Sequence, residues 1–495
     1  MSRIARAAPP ARVLLVVAAL ATPAPLLASA RAVARPVDAD AGAALGLVYD
    51  GDFPGAERHL AALAQEHPDD PVLPYLQALA LEWRLEQAPA TRDHDEEVLA
   101  LADRSLSLAG AALAREPADG RALLARGAAH GVKSRLHLFR WDKSPAAREA
   151  VRMREALAAA RASGVEALDL DFGLGLYDYY ADTLPRFFKV VAFLLRIPGG
   201  DRERGLSSLA RVARGGSLFH DDEARVQMYD VHSYFERRPD RALHWIREMW
   251  RLHPGWPIWG LKLSRLLGEP MGLWAESAAV ARDVLATAEE GRHPNYQPVV
   301  AAMARVQLAE ALVGDLRFDE ACATARAVPG DVPGASWVGE RARRVLARCH
   351  DLAERAGSAE VIALALLGRS RRLREQGDDL AAEEECLRAF QAFPASAEAR
   401  SCAARERLRA GRPKAALELA RAALDAEGDA GLRPFARMAL ARALEDDGNR
   451  KDALEHYLRV WDEPLGRQSL RTEAAAAIRR LEPGLPLEDA PPLER

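Results

Sequence analysis

Two groups of residues in this chain have the types and spacing that chemistry requires. One is the stretch HDDEARVQMYDVH, with Asp221, Asp222, Glu223 and Asp230 between His220 and His232. The other is a set of arginines near the C-terminal end. The two histidines are twelve residues apart, more than three helical turns, so they do not share the single turn that would let a helix offer both to one ion. Asp221 and Asp222 are expected to cap a helix whose first turn favours acids. His130 and His137 fall on one helical face, but without a third ligand. The chain has no Ser-His-Asp signature, no Gly-rich nucleotide loop and no paired-cysteine zinc spacing. No catalytic residue, metal or cofactor is expected.

The arginines are more regular. If successive helices start at Ala363, Ala397 and Pro434, then Arg371, Arg405 and Arg442 each occupy the ninth position. Arg374 and Arg409 recur at the twelfth and thirteenth positions of the first two. Guanidinium groups stacked in this way suit bidentate capture of carboxylate or phosphate. The competing reading is a solvated face neutralised by Glu375, Glu406, Glu445 and Asp446. Five of the nine tryptophans lie between Trp245 and Trp274. Trp256, in HPGWPIWG, is placed in a turn, where it serves either as a partner contact or as a wedge at an irregular joint.

Those positions matter only if the chain repeats. From Val37 onward the apolar periodicity is helical, and turns such as YDGDFPG, ERRPDR, EQGDD, RAGRP and EDDGNR interrupt it every dozen or so residues. A turn glycine is followed five residues later by alanine in Gly51–Ala56, Gly377–Ala382, Gly411–Ala416 and Gly448–Ala453. Gly377 and Gly411 are 34 residues apart, and Gly411 and Gly448 are 37. Glycine suits a left-handed turn after a first helix, small alanines let paired helices approach, and prolines such as Pro68, Pro254 and Pro394 stop the second helix. A lone hairpin cannot bury its apolar face, so neighbours must stack.

This pattern resembles the tetratricopeptide repeat (TPR) family over Leu364–Pro464 and Val37–Pro68, partly over Ser105–Gly127 and Glu223–Leu267, and in distorted form around Gly314–Val328. The resemblance implies an all-α fold, a right-handed superhelical solenoid of antiparallel helix pairs. It also implies that the first helices, with Arg371, Arg374, Arg405, Arg409 and Arg442, line a concave groove. A second resemblance sits in GLGLYDYYADTLPRFFKVVAFLLRIPGGDRERGL, at Gly173, Gly175, Leu184, Pro185, Gly200, Asp201, Arg202, Glu203, Gly205 and Leu206. These are similar to the eukaryotic tetratricopeptide repeat protein thirty-nine family, whose members look like helical repeat proteins without established catalysis. Lys189 and Arg196 interrupt the apolar run there. It is read as short helices of a buried hub, with Asp201 capping the helix that follows, and not as a membrane span.

Organisation and compartment follow from the ends. Arg3, Arg6 and Arg12 precede the apolar run Val13–Ala21, and small residues follow at Ala28–Ala30. This is the pattern of a secretory leader cut after Ala30. Residues 31–36 form a linker, 37–270 an N-terminal divergent array, 271–362 irregular repeats, 363–480 a C-terminal array and 481–495 a Pro-rich tail. Export favours oxidation, so Cys386 and Cys402, equidistant from Pro394, are positioned for a disulfide. Cys322 and Cys349 straddle their loop unequally and are a poorer match. The net charge of −4 gives no reason to expect nucleic acid. The expected function is an exported, periplasmic or secreted scaffold that binds a protein or peptide, without catalysis and without an integral span once the leader is removed. The alternatives are an enzyme with an inter-repeat site near His220–His232 and a peripheral envelope protein.

Overall fold

The computed structural model describes residues 34–85, 92–165, 167–183, 199–268, 270–291, 295, 298–330, 332, 335–425, 433–462, 468–485 and 487. The leader, residues 184–198 of the aromatic stretch and most of the Pro-rich tail lie outside the described residues. The described residues form helices and no strand. The N-terminal region contains α1 (Val37–Tyr49), α2 (Phe53–Glu66), α3 (Val72–Leu85), α4 (Asp95–Arg115), α5 (Gly120–Phe139) and α6 (Lys143–Ala162). It continues with α7 (Leu168–Thr183), α8 (Arg202–Ala213), α9 (Asp221–Asp230), a π turn over Val231–Phe235, α10 (Pro239–Leu252) and α11 (Pro257–Leu267). The middle holds α12 (Trp274–Glu290), α13 (Pro298–Gly314), α14 (Phe318–Arg326) and α15 (Ser336–Glu354). The C-terminal array comprises α16 (Ala359–Glu375), α17 (Asp379–Ala392), α18 (Ala397–Arg409), α19 (Pro413–Asp425), α20 (Arg433–Asp446), α21 (Arg450–Trp461) and α22 (Gln468–Leu481).

One local device generates the helix pairs. Gly51, Gly377, Gly411 and Gly448 all have positive φ, between 67° and 86°, and the alanine five residues on is fully buried in each case. The residue after each glycine donates its amide back five positions: Asp52 to Leu47, Asp378 to Leu373, Arg412 to Arg407 and Asn449 to Leu444. This closes a Schellman turn. The same device recurs with other residues in the left-handed position. Trp141 (φ 63°), Arg237 (φ 51°) and Leu316 (φ 61°) precede buried Ala146, Ala242 and Ala321 by five. Asp142 and Arg317 donate back five positions to His137 and Leu312. After the π turn, Arg238 instead reaches back six positions to His232, because the wider turn adds a residue. The repeat thus extends through α5/α6, α9/α10 and α13/α14, where the glycine is missing.

The resulting fold is an all-α solenoid of antiparallel helix pairs, with one departure from a linear stack. Helices α1–α3 pack back onto α9–α11, and one apolar core runs from Val37 to Met271. At its centre Tyr49, Trp83, Trp256 and Trp259 meet edge to face, with ring centroids 5.1–6.1 Å apart. Elsewhere Gly205 of α8 presses on Gly175 and Tyr179 of α7, where a Cβ would meet backbone atoms at 2.6–2.9 Å. Asp201 accepts the Arg204 amide and caps α8. Asp221 and Asp222 do not cap α9. Asp221 instead accepts from the Gly216 and Ser217 amides, and Asp222 pairs with Arg225 and His253. No helix among the described residues is long and apolar enough to cross a membrane.

The C-terminal array has its own, alanine-rich core. Its last helix returns to the N-terminal region. Arg471 of α22 is 2 % exposed and pairs with Asp240 at the start of α10, itself held by Arg238 at 2.9–3.0 Å. Arg471 also donates Nε to the Trp461 carbonyl at 2.8 Å and lies over that indole at 4.7 Å. Both cysteine pairs are joined, Cys386–Cys402 and Cys322–Cys349. The second differs from the expectation of a mismatched pair. Val328, Val332 and Ala335 of the connecting loop are buried against Val306 and Val338. The loop therefore runs along α13 rather than turning tightly, which brings Cys349 level with Cys322.

Candidate functional site

The arginines of α16 and α18 form a connected cluster. Ser358 caps α16 through the Val361 amide, so this helix starts four residues before Ala363. Ser396 caps α18 at Ala397, where the repeat register places it. Arg371 donates to the Gly314 carbonyl at 2.9 Å and pairs with Glu398 of α18. Arg374 bonds the buried Glu406 at 2.6 Å, and Arg409 approaches the same carboxylate at 3.5 Å. Arg405 stands among them without a carboxylate partner among the described residues, and its buried Nε has no hydrogen bond. Burial, and then the charges of Arg374, Arg371 and Arg409, push its guanidinium down to about 10, against the opposing pull of Glu406. The buried Nη1 of Arg374 is also unpartnered.

Three of these four guanidinium groups thus draw on the carboxylates of Glu398 and Glu406, and the buried Asp315 interacts with Arg371. A cluster with this excess of positive charge can hold an added anion more readily than it can hold itself neutral. Arg442 of α20 extends the row but is paired with Glu473 of α22, and burial lowers its pKa. The floor is stapled: Cys402 precedes Glu406 by one turn, and its partner Cys386 lies on α17. Glu406 and the two sulfurs lie within 4.8 Å of one another. Joined to each other, the sulfurs have no thiolate to offer an ion, and Glu406 already binds Arg374. Sequence reasoning found the arginines and named Glu406 as a neutralising acid, which its pairing with Arg374 and Arg409 bears out, but it missed Glu398. The usable signal was an acid about one repeat downstream of Arg371, Arg374 and Arg442, at Glu398, Glu406 and Glu473.

Trp256 is buried, at 8 % exposure, against Phe53, Trp83 and Trp259. It fills the joint where α1–α3 meet α11 and presents no face to a partner. The reason is the fold-back of α1–α3, which covers the turn.

The acidic and histidine residues of α9 are also accounted for by packing. His220 Nε2 meets the Tyr75 hydroxyl at 2.6 Å, and Nδ1 meets Asp169 at 2.7 Å. Asp169 also accepts the Leu218 and Phe219 amides. Burial alone would raise the Asp169 pKa, but the His220 bond and the two amides hold it below the usual range. Burial, with Glu223 and Asp169, raises the Tyr75 hydroxyl well above 10, so this chain ends in a hydroxyl that keeps its proton. Glu223 accepts from the Tyr49 hydroxyl at 2.9 Å and the Trp83 indole at 2.7 Å, and pairs with Arg135. His232 is buried apart from these groups, with Nδ1 unpartnered. Burial and the Arg241 charge push it down to about 4. A cavity of about 550 Å³ lies between α6, α7 and α8, lined by Arg161, Gly164, Leu168, Asp171 and Arg211. It includes none of His220, Asp169 or Tyr75, and Asp171 pairs with both arginines. The arrangement ties α1–α3 to α7 and α9.

No protein-family model matches this chain, and no curated protein matches it. Among solved structures it is similar to the TPR domain of P58(IPK), at 14 % identity over 84 % of this chain and 99 % of that one, with a TM-score of 0.23. It is also similar to the Cut9–Hcn1 hetero-tetramer of the APC/C, at 11 % identity over 89 % and 92 %, TM-score 0.23. A third is an IFIT1 monomeric mutant with m7Gppp-AAAA, at 14 % identity over 83 % and 81 %, TM-score 0.23. With TM-scores below one half, the solenoid assignment rests on this chain's own helix pairing.

Proposed function

We propose that this chain is an exported, non-catalytic scaffold that grips an acidic segment of a protein or peptide against the first helices of its C-terminal array. The observation that carries this reading is Arg405, an unpaired and half-buried guanidinium among Arg371, Arg374 and Arg409. An acidic side chain bound there relieves like-charge repulsion and satisfies donors that the fold leaves open. Glu398 and Glu406 hold the flanking arginines in place, and the Cys386–Cys402 link fixes the hairpin beneath. Two joined cysteine pairs fit an oxidising compartment, in keeping with the leader-like N-terminus.

The test is fluorescence anisotropy with a short labelled Asp/Glu peptide and its Asn/Gln counterpart. The acidic peptide is expected to bind and to weaken with salt, with Arg405→Ala reducing affinity about tenfold. Arg405→Lys is expected to recover only part of that loss, since the ammonium lacks the planar fork. Equal binding of the two peptides, or no effect of Arg405→Ala, overturns the reading.

A further inference from the structure

The π turn after α9 builds a second surface of different chemistry. Its wider register stacks residues five apart, placing Tyr234 over Tyr229 with ring centroids 6.3 Å apart. Phe235 in turn meets Tyr180 of α7 at 5.4 Å, edge to face, and Tyr180 meets Tyr179 at 5.2 Å. Tyr234 is 60 % exposed and Phe235 55 %, unusual for rings that already have aromatic neighbours. The Tyr180 hydroxyl donates to Gln227 at 3.3 Å, one helical turn before Asp230.

Asp230 is half-buried, and its carboxylate makes no hydrogen bond or ion pair among the described residues. Burial raises its pKa, with Glu223 adding to the shift and Lys262 opposing it. Its charge is felt by both Tyr180 and Tyr229. Lys262 does not neutralise it directly. Its ammonium lies over the buried Tyr229 and Trp259 rings, at 5.5 and 5.4 Å. An unpaired carboxylate one helical turn before two exposed rings repels anions and is poorly served by a neutral apolar ligand, which would strip its water without replacing it. A cation with apolar substituents satisfies both the rings and the carboxylate.

We propose that Asp230, Tyr180, Tyr234 and Phe235 form a subsite for an organic cation, either a quaternary ammonium group or the guanidinium of an arginine side chain. The subsite is separate from the arginine cluster of α16 and α18 and does not depend on the function proposed for it. π turns are enriched at functional sites, and here the turn sets two rings into solvent four and five residues after Asp230, about one turn further along the chain.

The experiment uses saturation-transfer NMR on the mature chain. Tetramethylammonium and N-acetylarginine amide are the cationic probes, and neopentyl alcohol is the neutral isostere of the first, all at matched ionic strength. At least one cation is expected to bind saturably, with neopentyl alcohol at least about fivefold weaker. The tighter of the two cations identifies the source, a free quaternary amine or a peptide side chain. Asp230→Asn is expected to weaken binding about tenfold and Tyr234→Ala about threefold. Tyr234 is mostly exposed, so its truncation tests the subsite even if Asp230→Asn disturbs folding. Absence of binding by both cations, equal binding of the neutral isostere, or unchanged affinity in Tyr234→Ala overturns the proposal.

Discussion

The two ends of this solenoid solve the same packing problem with different materials. Between Val37 and Met271 the core is aromatic and polar at once: Tyr49, Trp83 and Trp259 converge, and Glu223 satisfies two of their polar atoms. Helices distant in sequence share it. Between Ala359 and Leu481 the core is built largely of alanines, each pair touching its neighbours, with Tyr457 and Trp461 near the end. The first arrangement depends on long-range hydrogen bonds and the second on close approach and a disulfide. A region whose stability is non-local and specific is thus coupled to one whose stability accumulates pair by pair.

The sharpest way to break that contrast is Glu223→Ala. It leaves the Tyr49 hydroxyl and the Trp83 indole without their buried acceptor and Arg135 with Glu82 alone, and is expected to cost about 3 kcal/mol. Most tryptophans lie in the N-terminal region, so urea unfolding followed by indole fluorescence is expected to move to lower denaturant. The far-UV transition of the C-terminal array should stay in place. The converse variant replaces Cys386 and Cys402 with alanine. Loss of that short closed loop is expected to destabilise the C-terminal transition by about 3 kcal/mol while scarcely altering the fluorescence transition.

Acid sharpens the comparison further. The folded value of His232, about 4, lies below its ordinary 6.5, so the folded state disfavours the proton. Its contribution is complete above pH 6.5 and is lost as pH falls toward 4. At pH 5 the N-terminal region is expected to have lost on the order of 1–2 kcal/mol, and His232→Asn is expected to flatten this slope in thermal melts. The smallest effect concerns the shared turn. Arg237→Gly relieves a left-handed, exposed arginine and is expected to stabilise by about 0.5 kcal/mol, whereas Gly411→Ala is expected to cost about 1 kcal/mol. Paired thermal melts compare the two directly.

Helical periodicity and the Gly-to-Ala interval made the pairs legible in sequence wherever glycine holds the turn. Trp141 hid a further copy, and Arg237 and Leu316 left two others legible only as partial or distorted, because the backbone there is imposed by the buried alanine and the amide bond behind it, not by the turn residue's own preference. The fold-back of α1–α3 was not legible. It depends on Tyr49, Trp83 and Trp259 meeting across more than two hundred residues, and periodicity carries no information about which face meets which. The arginine row was visible as a register. Which of its members lacks a counter-charge required knowing that Glu406 turns toward Arg374 and Arg409 and away from Arg405.

A stacked-repeat rod ordinarily frays from its last pair, since that pair has a neighbour on one side only. Arg471, locked onto Asp240, gives the terminal helix a second anchor on a part of the chain folded by other forces. Peeling it away would leave Asp240 to Arg238 alone and strip Arg471 of its carboxylate, so the rod has little incentive to open at that tip. Opening is then easiest somewhere in its interior, and the trapped charge acts as a buckle on a loop of helices.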